Sequence, residues 1–448
     1  MKQKQKAVSL PPLFNYFTLS LCLPPPMPHQ NFTLKNGMRV HLVPVSGTQA
    51  VTVLVLTKVG SRYETPTLSG ASHFIEHLMF KGTKRRPTTL DISRALDSVG
   101  AQYNAYTNKH ETGYYIKIDA KHTSLAVDML HDMVFNSKFD QKELDRERGV
   151  IIEEINMYQD SPMRHVEDLL EGLVFDGNTL GWEIAGSHKT MKEMKRDEII
   201  AFRDSHYIPS RMVVSVAGNI PKDIKKTLEK TFGSVKISKA EHPTFAPFVK
   251  SSTKKKVNVQ FKKTEQIHLM FGFPSFGIGD DRNEALALLS CILGGTMSSR
   301  LFISVRERKG LAYMVRSSNT AYDDAGVFSV QAGLDKSRVL LAYKTIMQEL
   351  RKIKREGVTA KEVKEAIDHV RGSMLLAMES SSFQAEWYGD DELFLNRVRT
   401  PEQFMAKLSK ITAADIKAIA NEVINEKNMK MAVIGPYKNE MDFLKSIS

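Results

Sequence analysis

Apolar residues along this chain of 448 amino acids recur with two different periods, and stretches of the two kinds follow one another. Residues 101–119, rich in Tyr, Ile and Thr, predict the two strands of a hairpin. Further on, Leu144, Ile151, Ile155 and Tyr158 recur at helical spacing and predict a helix with one buried stripe. A shorter helix is predicted over residues 70–82: Gly70 and Ser72 precede it, Leu78 and Met79 can pack inward, and Gly82 is placed to end it. These patterns are echoed later in the chain. Residues 113–119 are answered by residues 325–332, and Lys142-Glu143-Leu144 by Lys361-Glu362-Val363, 219 positions on. The expectation is an α+β protein built from two copies of one α/β unit, which suits a chain too long for one typical core. The first unit is expected at 29–236 and the second at 257–448. Residues 237–256 between them have no period of their own and read as a linker.

Within the short helix, His73, Glu76 and His77 form an H-x-x-E-H motif, for which composition gives roughly 0.04 matches by chance. Residues four apart on a helix lie one above the other, so both imidazoles can face one ion, and neutral imidazole suits zinc. Glu76 falls beside them, where a carboxylate can serve as general base. This order is the inverted form of the zincin motif. A tetrahedral catalytic site needs a third protein ligand and one open position, so another rigid element has to supply a donor. Glu147 and Glu154, seven apart, lie within about 20° of each other around a helix axis, while Glu153 is about 100° from Glu154. Glu154 is therefore preferred as ligand and Glu147 as the neighbour that orients the site, although taken alone such glutamates also read as ordinary exposed helix positions. The second copy has Leu288-Leu289-Ser290-Cys291-Ile292-Leu293-Gly294-Gly295 where the first has its His pair, so one metal site per chain is expected.

On these residues the chain resembles the pitrilysin/insulinase family of zinc metallopeptidases, and most closely its small members, the mitochondrial processing peptidase β-type subunits and their bacterial relatives. The resemblance runs from about Asn31 nearly to the end. It implies zinc held by His73, His77 and Glu154, with Glu76 as base and Glu147 in support. Asn104-Ala105-Tyr106-Thr107 looks like the family's edge strand, which implies that Asn104 and Ala105 hold an extended substrate by its backbone. Residues 294–302 and 306–313 are similar to the family's second-domain segment, which implies that Arg306 and Tyr313 reach the catalytic site and stabilise an oxyanion there. It further implies two homologous α/β-sandwich domains forming half of a clamshell. A second chain, identical or related, would complete a chamber admitting peptides and unfolded segments. The alternative within the same fold is a non-catalytic scaffold or partner subunit.

The formal charge of +12 raises nucleic acid as a partner, but Lys and Arg are dispersed among acids and no zinc-finger, RRM or helix-turn-helix signature occurs, so none is expected. Two cysteines, Cys22 and Cys291, supply neither a disulfide framework nor a metal cluster, and no run of about 20 apolar residues suggests a membrane span. Residues 1–28 begin basic and moderately apolar, but Pro11, Pro12 and Pro24 to Pro26 interrupt them, no Ala-x-Ala site follows, and Arg is absent before Arg39. They are expected to be a disordered or mis-annotated extension, with Met27 as an alternative start, on a cytoplasmic protein, secretion or a periplasmic location being kept open.

Overall fold

A computed structural model describes residues 29–237, 243–249 and 253–448; the expected N-terminal extension and part of the expected linker lie outside the described residues. The first sheet contains β1 (Gln30–Thr33), β2 (Arg39–Pro44), β3 (Ala50–Thr57), β4 (Gln102–Thr107), β5 (Thr112–Asp119) and β6 (Met212–Gly218). Their spatial order is β1-β2-β6-β3-β5-β4, with β2 and β6 parallel and every other neighbour antiparallel. The second sheet contains β7 (Val257–Phe261), β8 (Gln266–Ser275), β9 (Ala312–Ala321), β10 (Gly326–Asp335) and β11 (Lys430–Gly435), in the order β7-β11-β8-β10-β9. Here β7 and β11 are parallel and the rest antiparallel. Without β1, the two sheets are the same path drawn twice. The echo between β5 and β10 is thus a true structural repeat, as is that between the helices Gln141–Asp160 and Ala360–Ala377.

The central strands β3 and β6 read Ala-Val-Thr-Val-Leu-Val-Leu-Thr and Met-Val-Val-Ser-Val-Ala-Gly, nearly continuous apolar runs that need cover on both faces. One face packs on helices of its own unit, with Val53, Val55, Val214 and Val216 in a core shared with Phe74, Leu130 and Leu144. The other face is covered from the second unit. Helix Ser381–Leu395 lays Ala385, Tyr388 and Leu393 on Val43, Leu54, Leu56 and Val213. The exchange is reciprocal, because helix Pro162–Val174 of the first unit lays Val166, Leu170 and Val174 on Met270, Val327, Ala432 and Ile434 of the second sheet. Charged pairs fasten the same junction: Lys58 to Asp323 at 2.9 Å, the fully buried Arg62 to Asp324 at 2.5 Å, and His41 to Glu392 at 2.9 Å.

Candidate active site

The H-x-x-E-H motif lies on helix Ala71–Met79, whose start is fixed by its surroundings. Gly70 caps it at φ 95°, in the left-handed region, and a Cβ there would fall 2.5 Å from Met191 Cε and 2.7 Å from the Ala185 carbonyl. The carboxylate of Glu64 accepts the backbone N–H groups of Gly70 and Ser72, each at 2.7 Å, placing negative charge at the positive end of the helix dipole. Burial nonetheless pushes the Glu64 carboxyl up to about 7. The helix stops at Met79, and Gly82, at φ 110°, serves the following turn rather than the helix end. Gly70→Ala should destabilise the protein by about 2 kcal/mol or more, because left-handed strain adds to a backbone clash. A denaturant midpoint equal to wild type would show that neighbouring loops yield at no cost.

The imidazoles of His73 and His77 converge with the carboxylate of Glu154 on helix Gln141–Asp160. His77 Nε2 lies 3.3 Å from His73 Nε2 and 3.4 Å from Glu154 Oε2, and the third edge, His73 Nε2 to Glu154 Oε2, is 3.7 Å. Metal–ligand distances of about 2.0–2.1 Å in a tetrahedron place donors roughly 3.3–3.4 Å apart, so this donor set fits a zinc ion. The supporting residues fix how the donors point. Glu147 Oε1 is 2.9 Å from His77 Nδ1, so that nitrogen donates to the carboxylate and Nε2 is the one turned to the site, where its lone pair becomes available on deprotonation. Lys81 holds the other oxygen of Glu147 at 2.6 Å, and the Tyr158 hydroxyl donates to Glu154 Oε1, leaving Oε2 for the ion. His73 Nδ1 is buried with no partner among the described residues, so its tautomer is not fixed in this way.

The electrostatics are those of a site built around positive charge. Burial opposes protonation of His77, but its hydrogen bonds to Glu147 and Glu154 outweigh that and hold it at about 9. The bond to His77 in turn draws Glu154 down to about 2. His73 is lowered to about 4, first by burial and then by the charge of His77. Glu76 is raised above the usual carboxylate range by burial, against a hydrogen bond from Thr107. Glu153 is exposed, whereas Glu154 is the neighbour whose carboxylate approaches both imidazoles.

These groups open onto a cavity of about 980 Å³ between the two units. Asn104 and Ala105 line it from β4, the free edge of the first sheet. Glu167 and Glu171 line it from the exchanged helix, and Arg316, Thr320, Ala321 and Tyr322 close it from the second unit. The expectation that Arg306 and Tyr313 face the His pair is not met within the chain. They lie near the opposite end of β9 from Thr320 and Ala321, a separation of roughly 25 Å along a strand. The guanidinium of Arg306 sits 5.7 Å from the Tyr313 ring, and Tyr313 is 70 % exposed. A register shift opposite Gly333 and Leu334 leaves Tyr313 as the extra residue of a β-bulge, which turns it off the regular alternation. Of the supporting residues, Lys81 has a sequence signal in its position four after His77. Glu64 has none, since its bonds depend on the turn that follows it.

Two family models match the chain: "Insulinase (Peptidase family M16)" at residues 39–188 and "Peptidase M16 inactive domain" at residues 193–370. The second description agrees with the absence of a His pair from residues 288–295. The uncharacterized zinc protease YmxG of Bacillus subtilis is 36% identical over 414 residues, covering 92% of this chain and 99% of the relative. An uncharacterized zinc protease of Streptomyces coelicolor is 35% identical, covering 91% of this chain and 90% of its own length. Among solved structures, a protease from Helicobacter pylori superposes with TM-score 0.86 at 24% identity, covering 92% of this chain and 100% of that one. A putative M16-like peptidase from Alicyclobacillus acidocaldarius gives TM-score 0.82 at 21% identity, covering 93% and 99%. At these identities the structures speak for the fold.

Proposed function

Because the chain belongs to the insulinase (M16) family of peptidases, we propose that it is a zinc-dependent endopeptidase acting on peptides or unfolded polypeptide segments. The observation that carries this reading is the triangle of His73 Nε2, His77 Nε2 and Glu154 Oε2 with Glu76 beside it, at the wall of a cavity edged by a free strand. Zinc held by those three residues would supply Lewis-acid activation of a water and of the scissile carbonyl. The chain's own groups do the remaining work. The free edge of β4 takes an extended peptide as an added strand at Asn104 and Ala105, binding backbone rather than sequence. Glu76, made more basic by burial, takes the proton of the attacking water and can return it to the leaving amine. Glu147 holds His77 in one tautomer throughout.

Arg306 and Tyr313 belong to the same reading through a second chain. Tyr313 is exposed and Arg306 half-buried, and neither lines the cavity of its own chain, so both are available to the site of a partner, identical or related, that completes a chamber around the substrate. In such a chamber they would stabilise the developing oxyanion.

The test is zinc binding and cleavage of an unstructured peptide by the purified chain. One zinc per chain is expected, with cleavage lost on chelation and restored by zinc. Glu154→Gln should weaken zinc at least ~100-fold, while Glu153→Gln stays near wild type. The reverse order would move the ligand by one residue, and full zinc loading without cleavage would leave a scaffold subunit of the same fold.

A further inference from the structure

Thr107 is the last residue of β4, and its hydroxyl donates to Glu76 Oε2 at 2.6 Å. Nothing among the described residues donates to the other oxygen, so Glu76 Oε1 is the one left to accept a proton. Alternation along β4 puts Thr107 on the same side as Tyr103 and Ala105, both packed against the core that contains Phe74 and Leu78 of the motif helix, while Tyr106 faces the opposite layer. The backbone beyond Thr107 is pinned. Asn108 donates to the Glu111 carbonyl at 2.8 Å, Arg62 donates to the Lys109 carbonyl at 2.7 Å, and Gly60 passes so close that a Cβ there would fall 2.1 Å from the Asn108 carbonyl oxygen. The hydroxyl is thus delivered from a pinned strand end to a half-buried carboxylate.

We propose that Thr107 is the positioning residue for the base: it fixes the orientation of Glu76 and couples it to the strand that receives substrate. The inference rests on the endopeptidase reading for its catalytic consequence, but the positioning itself can be read without turnover. A peptide added to the β4 edge at Asn104 and Ala105 lies two to three residues from Thr107 on the same strand, so strand and base are held in one register.

Thr107→Val keeps the side-chain shape and removes the donor. In the zinc-loaded full chain it should lower kcat about 10-fold or more while KM for an unstructured peptide and zinc affinity stay within 2-fold of wild type. Thr107→Ser should restore most of kcat, which a purely structural role for the methyl group would not allow. A crystal structure of Thr107→Val should show the Glu76 carboxylate in more than one orientation, with His73, His77 and Glu154 unmoved. A single unmoved Glu76 overturns the proposal whether or not the chain cleaves peptides; so does wild-type kcat in Thr107→Val. Wild-type protein that holds zinc but cleaves nothing, with Glu76 released in the variant crystal, would instead remove the peptidase reading and leave the positioning intact.

Discussion

Glu76→Gln should leave zinc bound at full stoichiometry and lower turnover of an unstructured peptide by about 10²–10⁴-fold, the range that a positioned general base contributes. Glutamine has the size of glutamate and can still accept the Thr107 hydrogen bond, so the side chain should stay where it is. What it loses is the capacity to take a proton. The metal triangle is made by His73, His77 and Glu154 alone, which is why binding and turnover should separate. No charge is buried in the variant, so its thermal midpoint should not fall. The measurement is kcat together with a zinc assay on the same preparation. Undiminished turnover would take the base role away from Glu76, and loss of zinc would place its carboxylate among the ligands.

Expressed alone, residues 29–236 should fail to form a native domain. The exchange of helices leaves Val43, Leu54, Leu56 and Val213 on a sheet face whose cover comes from the second unit, and Val166, Leu170, Val174, Phe175 and Leu180 on a surface whose sheet is missing. At about 1.5 kcal/mol or more for each large side chain exposed, the loss is more than 10 kcal/mol, comparable with the whole stability of a typical protein at about 5–15 kcal/mol. The ion pairs add to this, since the fully buried Arg62 would lose Asp324 and His41 would lose Glu392. Aggregation or an expanded state with no near-ultraviolet circular dichroism is expected, and co-expression with residues 253–448 should restore a native complex. A soluble first unit that unfolds cooperatively by itself would contradict the exchanged-helix account.

The chemistry was legible wherever a helix carried it. His73 and His77 meet because they are four apart, and Glu147 and Glu154 reach the two nitrogens of His77 because they are seven apart. The hairpin followed from composition over residues 101–119, which became β4 and β5, whereas its free edge was implied only by the family resemblance. The duplication was visible in two short echoes. Tertiary distance was not legible in the same way. Arg306 and Tyr313 are matched by spacing, but their place depends on a strand's length and a bulge, and neither has a signature in a single sequence. The amphipathic helices Pro162–Val174 and Ser381–Leu395 announce a buried face without saying which unit buries it. Thr107 falls within the edge-strand motif, yet its bond to Glu76 needs the helix and strand to be seen together.

The crossing of helices between the units also sets a timetable for the newborn chain. After β6 leaves the ribosome, about 160 further residues must follow before helix Ser381–Leu395 arrives, a wait on the order of 10 s at about 5–20 residues per second. The second sheet is completed later still, because β11 takes its place between β7 and β8 only after residue 430 has emerged. His73, His77 and Glu154, the three side chains that could hold a metal ion, are all synthesised before residue 155. The far wall of the cavity, Arg316 to Tyr322, belongs to a sheet that only β11 completes, so through most of its synthesis the chain carries these three side chains without the enclosure around them.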